Sequence, residues 1–388
     1  MNIVFIDNDA DPPYFGGTTT MTRIQADILE REGHHCILGY LREFEHPSVL
    51  FDEKIRISAD NIEGIREFCA ARNIDYVINQ MQPFNYELLK PFKDAGAILI
   101  HAFYAQPQMW GVKKHEIWEN TKKSRNPKTW IKAFLNIFCY SHFKRKSFVA
   151  FQNFFRKDYD YCDYYMLLTK RYFKCLKEFV PYADESKIIS IGNPITYNEI
   201  LKIDQLRLKK KEVLSICRFS FEKRIEEMLA IWKEVEKDTE LNDWTFNLIG
   251  DGSDRKKLLR LARRLKLKRI QFLGQIKAPI SYYKSASIFI MTSELEGWPM
   301  VLNECQQFGD VPIAYDSFAA LYDIIDDSEN GMVVNDKDRS SFVYKLKKLM
   351  KDDDLRLCMM KNALTYSKAH TKEKYAEDFL KIIKPRQE

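Results

Sequence analysis

The feature that most constrains the fold of this 388-residue chain is a unit that occurs twice: a short apolar run, a turn, and an amphipathic helix. The first begins at Asn2–Ile6 (NIVFI) and passes through a loop with Pro12, Pro13, Gly16 and Gly17. It continues from Thr20 to Glu32, where Met21, Ile24, Ile28 and Leu29 recur at helical spacing and Gly33 supplies a stop. Cys36–Leu38, Tyr76–Ile78 and Ile98–Ile100 are further short apolar runs, with a helical stretch at Ile62–Ala71 among them. A second set starts after a basic linker, Arg207–Lys211. Strands are expected at Val213–Cys217, Trp244–Ile249, Ile270–Leu273, Ile288–Met291 and Val311–Tyr315, and helices at Ile225–Val235 and Arg255–Leu265. Such alternation predicts parallel sheets covered on both faces, in two α/β domains. Ligands are then expected outside the C-terminal ends of the strands.

Composition narrows the class. With 45% apolar and 30% charged residues, the chain is neither disordered nor collagenous nor a disulfide-stapled scaffold. The eight cysteines include no C-x-x-C pair and sit mostly in apolar segments, so free thiols in a reducing cytoplasm are expected. MNIVFIDNDA lacks the marks of a signal peptide, and no window reaches about 18 uninterrupted apolar residues, so no membrane span is expected. The net charge of +6 is unevenly placed: residues 1–110 carry −7, residues 111–160 carry +8 and residues 161–388 carry +5.

The chemistry is expected around Ser293–Gly309 (SELEGWPMVLNECQQFG). Glu296 and Glu304 stand eight apart with Gly297 and Pro299 between them, just after an apolar strand. If Pro299 occupies the first turn of a helix, Glu296 lies on the loop and Glu304 within the helix, and the backbone N–H groups of Met300 and Val301 form an anion site. Arg218 and Lys223 follow the first strand of the same domain, where two cations would neutralise a diphosphate leaving group. Gly250 and Gly252 follow the next strand, either to admit a ligand or to turn the chain. Asp7, Asp9 and Asp11 spell D-x-D-x-D but read as solvated or capping residues, and no H-E-x-x-H or similar metal spacing occurs.

These pieces carry a resemblance. CRFSFEK, IGDGSD, QFLGQI, SELEGWPMVLNEC, GDVPIAYD and NGMVV stand in the order found in retaining GT-B glycosyltransferases of the group 1 type. YFGGTTTMTRIQADILEREGHHC, LIHAFYAQP, YYMLLTKRYFKCL and IISIGNPI agree more loosely. The resemblance implies two Rossmann-like domains facing across a central cleft. Residues 1–195 would bind the acceptor, with 111–160 as a basic insert and the C-terminal helix 372–388 joining them, and residues 196–371 would bind the nucleotide sugar. It implies that Glu296 contacts the transferred sugar, Glu304 holds the ribose hydroxyls, and Arg218 and Lys223 bind the diphosphate. Amides near Gly16, Gly17, Gly250, Met300 and Val301 would assist. His101 matches a histidine beside the acceptor, or is a hydrogen-bonded strand-end residue. The implied reaction is front-face substitution with retention. It uses a nucleotide-diphosphate sugar, a UDP-sugar by expectation, as co-substrate, without cofactor or metal, in surface or capsular polysaccharide synthesis on a glycan or lipid-linked acceptor. Cys305 and Gln306 depart from the usual alanine and methionine, which leaves the donor sugar open.

Residues 111–160 hold eleven aromatics besides the +8 charge. Trp130, Ile131, Phe134, Leu135 and Phe138 form a helical stripe, and Lys144, Arg145 and Lys146 follow. Either this helix lies on an anionic membrane, peripheral at the inner face of the cytoplasmic membrane, or its stripe packs into the N-terminal domain. Nucleic acid is not expected, because no recognition motif accompanies the charge. Other readings are a nucleotide-sugar epimerase on the same fold, a non-catalytic binding protein, and a dinucleotide oxidoreductase, whose G-x-G-x-x-G is absent from YFGGTTT.

Overall fold

The computed structural model describes residues 1–9, 16–42, 51–81, 85–122, 124 and 126–384. The chain divides into two compact units, Met1–Gly192 with Ala376–Glu388, and Asn193–Tyr375. In the first, strands β1 Asn2–Asp9, β2 His35–Arg42, β3 Glu53–Arg56, β4 Ile74–Asn79, β5 Ile98–Phe103, β6 Tyr164–Leu167 and β7 Ile188–Ser190 form one parallel sheet in the order β3-β2-β1-β4-β5-β6-β7. Its helices are α1 Gly17–Arg31, α2 Ile62–Arg72, α3 Lys90–Asp94, α4 Lys114–Lys122, α5 Pro127–Phe138, α6 Tyr140–Tyr161 and α7 Arg171–Phe179.

The second unit repeats the plan. Strands β8 Glu212–Ile216, β9 Thr245–Ile249, β10 Ile270–Gly274, β11 Ile288–Met291, β12 Val311–Asp316 and β13 Met332–Asn335 pair in parallel in the order β10-β9-β8-β11-β12-β13. Helices α8 Ile225–Glu236, α9 Arg255–Arg264, α10 Ile280–Ser285, α11 Met300–Gln307, α12 Leu321–Ile324, α13 Arg339–Lys351 and α14 Asp353–Ala369 surround this sheet, and α15 Lys372–Leu380 follows.

The central strands are hydrophobic on both faces, as a sheet covered on both sides requires. Ile3, Val4, Phe5 and Ile6 of β1 are fully buried, as are Ile288, Phe289 and Ile290 of β11. The short edge strands β3, β7 and β13 escape the apolar-run reading because sheet edges need little continuous apolar sequence. Helix α1 ends as expected. Gly33 takes φ +78°, and the N–H groups of Gly33 and His34 reach back to the carbonyls of Glu30 and Leu29.

Of the basic linker, Lys209 alone turns its side chain inward, while Arg207, Lys210 and Lys211 are exposed. Ile203–Leu208 is a 3₁₀ turn, and Lys209 is buried against Asp310 while also donating to the carbonyls of Tyr283, at 2.8 Å, and Ala286. Burial pushes the Asp310 carboxyl up and the Lys209 ammonium down, each against the pull of the other. The linker is thereby tied to the strand edge beside β12. Side chains of α11 hold its start: Asn303 donates to the carbonyl of Asn193 at 2.8 Å, and Gln307 to that of Tyr197 at 2.6 Å.

Removing one member of a buried ion pair strands the other. Lys209→Met therefore lowers the unfolding free energy by about 3–5 kcal/mol, measured by urea denaturation. Lys209→Met combined with Asp310→Leu recovers most of that loss. Wild-type stability in the single variant would contradict this assignment.

Candidate functional site

In the C-terminal unit the strand order reverses between β8 and β11, which lie side by side with Val213 opposite Ile288. The chain leaves β8 toward β9 and leaves β11 toward β12, so two loops diverge from adjacent strand ends and a crevice opens between them. Lys223 lies on the first loop, at the end of the short turn Phe221–Lys223. Glu296 lies on the second, between β11 and α11. The topology brings these two residues, 73 positions apart, into contact: Lys223 Nζ donates to Glu296 Oε1 at 2.6 Å. Burial would lower the Lys223 ammonium, but the Glu296 carboxylate prevails and holds it above the ordinary lysine range.

Arg224, directly after Lys223, has the left-handed conformation φ +47°, ψ +44°, which a side chain with Cβ adopts at a cost. Its guanidinium is fixed on two carboxylates, Glu294 at 3.3 Å and Asp336. Thr292 Oγ1 lies 3.0 Å from the carbonyls of both Lys223 and Arg224, and the N–H of Glu294 donates to the carbonyl of Glu222 at 2.7 Å. The β11 loop thus grips the turn that presents Lys223. The sequence reading passes over Arg224, Glu294, Thr292 and Asp336, because a positive φ and a contact across two loops leave no local pattern.

Pro299 stands one position earlier than expected, as the residue before α11 and not in its first turn. The consequence for the carboxylates is unchanged: Glu296 is on the loop and Glu304 is in the helix. Met300 and Val301 open the helix, half-buried, and their N–H groups have no acceptor among the described residues. Glu304 is half-buried and accepts from Tyr283 Oη at 2.7 Å, so Tyr283 is its positioning partner. Burial pushes the Glu304 carboxyl above the usual glutamate range, and the Tyr283 hydroxyl pulls against that.

Arg218 is exposed, and its side chain has no hydrogen bond or ion pair among the described residues. Gly250 has a structural reason to be glycine. At φ +140°, a Cβ there would lie 1.9 Å from the carbonyl oxygen of Cys217, so the β9 loop packs on the backbone of the β8 loop. Cys305 and Gln306 are fully buried. Gln306 bonds the carbonyl of Ile324 at 3.1 Å and Asn330 at 2.8 Å, so these departures from the family pattern are taken up in internal packing.

In the N-terminal unit, Gly16 and Gly17 are exposed at the start of α1, where Gly16 is the extended N-cap. Asp7 and Asp9 do not follow the first strand but belong to β1, and Asp11 lies outside the described residues. His101 is a fully buried residue of β5, 3.1 Å from Asn79 Nδ2 and 3.2 Å from Tyr86 Oη, with the Tyr165 ring packed on it. Burial pushes it down to about 3, so it is a neutral neighbour of the buried Asp158, 3.6 Å away. Its environment is that of a strand histidine satisfied inside the core.

Residues 197–366 match the family model of glycosyl transferases group 1. Over 154 residues the chain is 30% identical to the amylovoran biosynthesis glycosyltransferase AmsD of Erwinia amylovora, covering 39% of this chain and 42% of that protein. Over 228 residues it is 25% identical to an α-1,4-N-acetyl-D-galactosaminyltransferase of Campylobacter jejuni named for a diNAcBac-PP-undecaprenol-linked acceptor, covering 59% and 62%. The chain spans about half the length of the curated relatives it matches. Anabaena HepE, solved in complex with UDP-glucose, shares the fold over 99% of both chains, with a TM-score of 0.70 and 14% identity. The expected GT-B architecture of two parallel-sheet α/β domains is borne out.

If the left-handed turn at Arg224 is strained and held by its ion pairs, two substitutions separate the effects. Arg224→Ala loses the clamps and keeps the strain, whereas Arg224→Gly loses the clamps and the strain together. The alanine variant is the less stable by about 1 kcal/mol in urea unfolding. Equal stabilities would show that the turn carries no strain.

Proposed function

We propose, from the membership of residues 197–366 in the glycosyl transferases group 1 family, that this chain transfers a sugar from a nucleoside-diphosphate sugar to a glycan or lipid-linked acceptor. The observation that carries the reading is the contact of Lys223 with Glu296 at the strand-order reversal of that domain. A cation placed there meets the charge that develops on a departing diphosphate, and Arg218 on the same loop supplies a second cation. Donor binding replaces the Glu296 carboxylate at Lys223 Nζ with phosphate oxygens. Glu296 is then released to accept from hydroxyls of the sugar.

The free amides of Met300 and Val301 at the start of α11 add a further anion contact. Glu304, held by Tyr283, accepts from the two ribose hydroxyls. The bond from the anomeric carbon to the phosphate oxygen breaks as the acceptor oxygen bonds to the same face. The acceptor proton passes to the departing phosphate oxygen, and configuration is retained. The nucleotide sugar serves as co-substrate, with residues 196–371 as the donor half and residues 1–195 as the acceptor half. A UDP-sugar is favoured by the UDP-glucose held in HepE. A role in polysaccharide or lipid-linked glycan biosynthesis is favoured by the amylovoran and undecaprenol-linked names of the relatives.

Incubation with a panel of nucleotide sugars, with and without membrane lipid extract, is expected to yield labelled glycolipid and free nucleotide from one donor. Lys223→Ala and Glu296→Gln each lose about 2–4 kcal/mol of transition-state stabilisation in kcat/KM. Activity within a few fold of wild type in both variants would overturn the assignment. Glu304 also sets a pH dependence. A protonated Glu304 cannot accept from two hydroxyls, and its carboxyl is raised, so donor affinity falls on the acid side with an inflection above the usual glutamate range. In Glu304→Gln that inflection is absent; its persistence there would exclude Glu304 as the group responsible.

A further inference from the structure

Helix α5 exposes its apolar side. Trp130, Ile131, Phe134, Leu135 and Phe138 are 39%, 62%, 69%, 55% and 79% exposed, and Ala133 is the one residue of the helix that is buried. Their spacing puts all five on one face. Phe134 and Phe138 stack on each other at 6.4 Å, and Trp130 packs edge-on to Trp118 at 5.6 Å, so the stripe is an ordered surface. The aromatics of α6 behave differently. Phe148 lies 5.6 Å from Phe179, Phe151 lies 4.6 Å from Trp110, and Phe155 is fully buried. The two alternatives for the insert are therefore divided between its helices: α6 packs inward and α5 presents its stripe to solvent.

The charge around this stripe is of one sign. From Asn120 to Lys157 there is no acidic residue and there are ten basic ones. Lys128 and Lys132 border the apolar face of α5, and Lys144, Arg145 and Lys146 are exposed on the following helix. None of these five side chains has an ion pair among the described residues.

We infer that α5 and the first turns of α6 form a docking surface for an anionic lipid bilayer. The apolar face enters the boundary of headgroups and acyl chains while the flanking lysines and Arg145 reach the lipid phosphates. With 12 residues the helix is about 18 Å long, too short for a hydrocarbon core of about 30 Å, so it lies in the interface and does not cross it. Charge excludes the other simple occupant. A two-fold contact between copies would set the same cationic rim against itself, with no acidic residue between Asn120 and Lys157 to offset it.

Flotation of the full chain with vesicles tests this and reads no sugar transfer, so it stands or falls apart from the proposed reaction. The wild-type chain floats with phosphatidylglycerol–phosphatidylethanolamine vesicles, much less with phosphatidylcholine alone, and less at high salt. Phe134→Asp with Phe138→Asp lowers the bound fraction by on the order of tenfold without moving the thermal midpoint, because both side chains are exposed. Lys144→Glu with Arg145→Glu and Lys146→Glu lowers it comparably while leaving the stripe intact. Undiminished flotation of both variants, or equal flotation on neutral vesicles, would overturn the inference. So would light scattering that shows a wild-type dimer made monomeric by the phenylalanine substitutions.

Discussion

The site in the C-terminal unit depends on one topological fact: the chain builds β9 and β10 on one side of β8 and then returns to lay β11 on the other. Parallel strands point their C-terminal ends the same way, so the loops after β8 and β11 must part at neighbouring positions. Lys223 and Glu296 are the residues that fill that parting. Neither loop alone creates the pair. A cation and an anion are set face to face by strand order.

The surroundings are built to keep that loop in one shape. Arg224 holds a left-handed turn that its own backbone disfavours, and it does so by reaching Glu294 and Asp336. Gly250 lets the β9 loop lie on the carbonyl of Cys217 from the opposite side. Below them, the buried Lys209–Asp310 pair and the side chains of Asn303 and Gln307 fasten the segment that enters the domain. Positive and negative groups occur here as close pairs, in contrast to Lys128, Lys132, Lys144, Arg145 and Lys146 of α5 and α6, which have no ion pair among the described residues. The first arrangement makes a defined polar site and the second a diffuse cationic surface.

Much of the fold was legible because β1, β4, β5, β8, β11 and β12 each contain a short buried apolar run. The edge strands β3, β7 and β13 were not, since three or four residues such as Ile188–Ser190 carry no period of their own. The placement of the candidate residues was legible too: Glu296 on a loop, Glu304 in a helix, and Lys223 after a strand. Their separate fates were not. Arg218 and Lys223 read alike in sequence, yet one is exposed and the other half-enclosed by Glu296. His101 read either as a residue beside the acceptor or as a hydrogen-bonded strand-end residue, and it is sealed among Asn79, Tyr86 and Tyr165, because what covers a strand end comes from distant segments. The stripe on α5 was visible by its spacing. Which way it points was not, because α6 carries aromatics too and turns Phe148, Phe151 and Phe155 toward other rings of the unit.

On this account Lys223 is a cation that meets the diphosphate, and Glu296 holds its ammonium until a donor arrives. Calorimetric titration of nucleoside diphosphates into the two single variants examines this without any turnover. Lys223→Ala should bind the preferred nucleotide about 10–100-fold more weakly, as expected for the loss of a charge-assisted hydrogen bond. Glu296→Gln should bind it at least as tightly as wild type, because the competing carboxylate is gone. Unchanged affinity in Lys223→Ala, or weakening in Glu296→Gln as large as that in Lys223→Ala, would contradict the account.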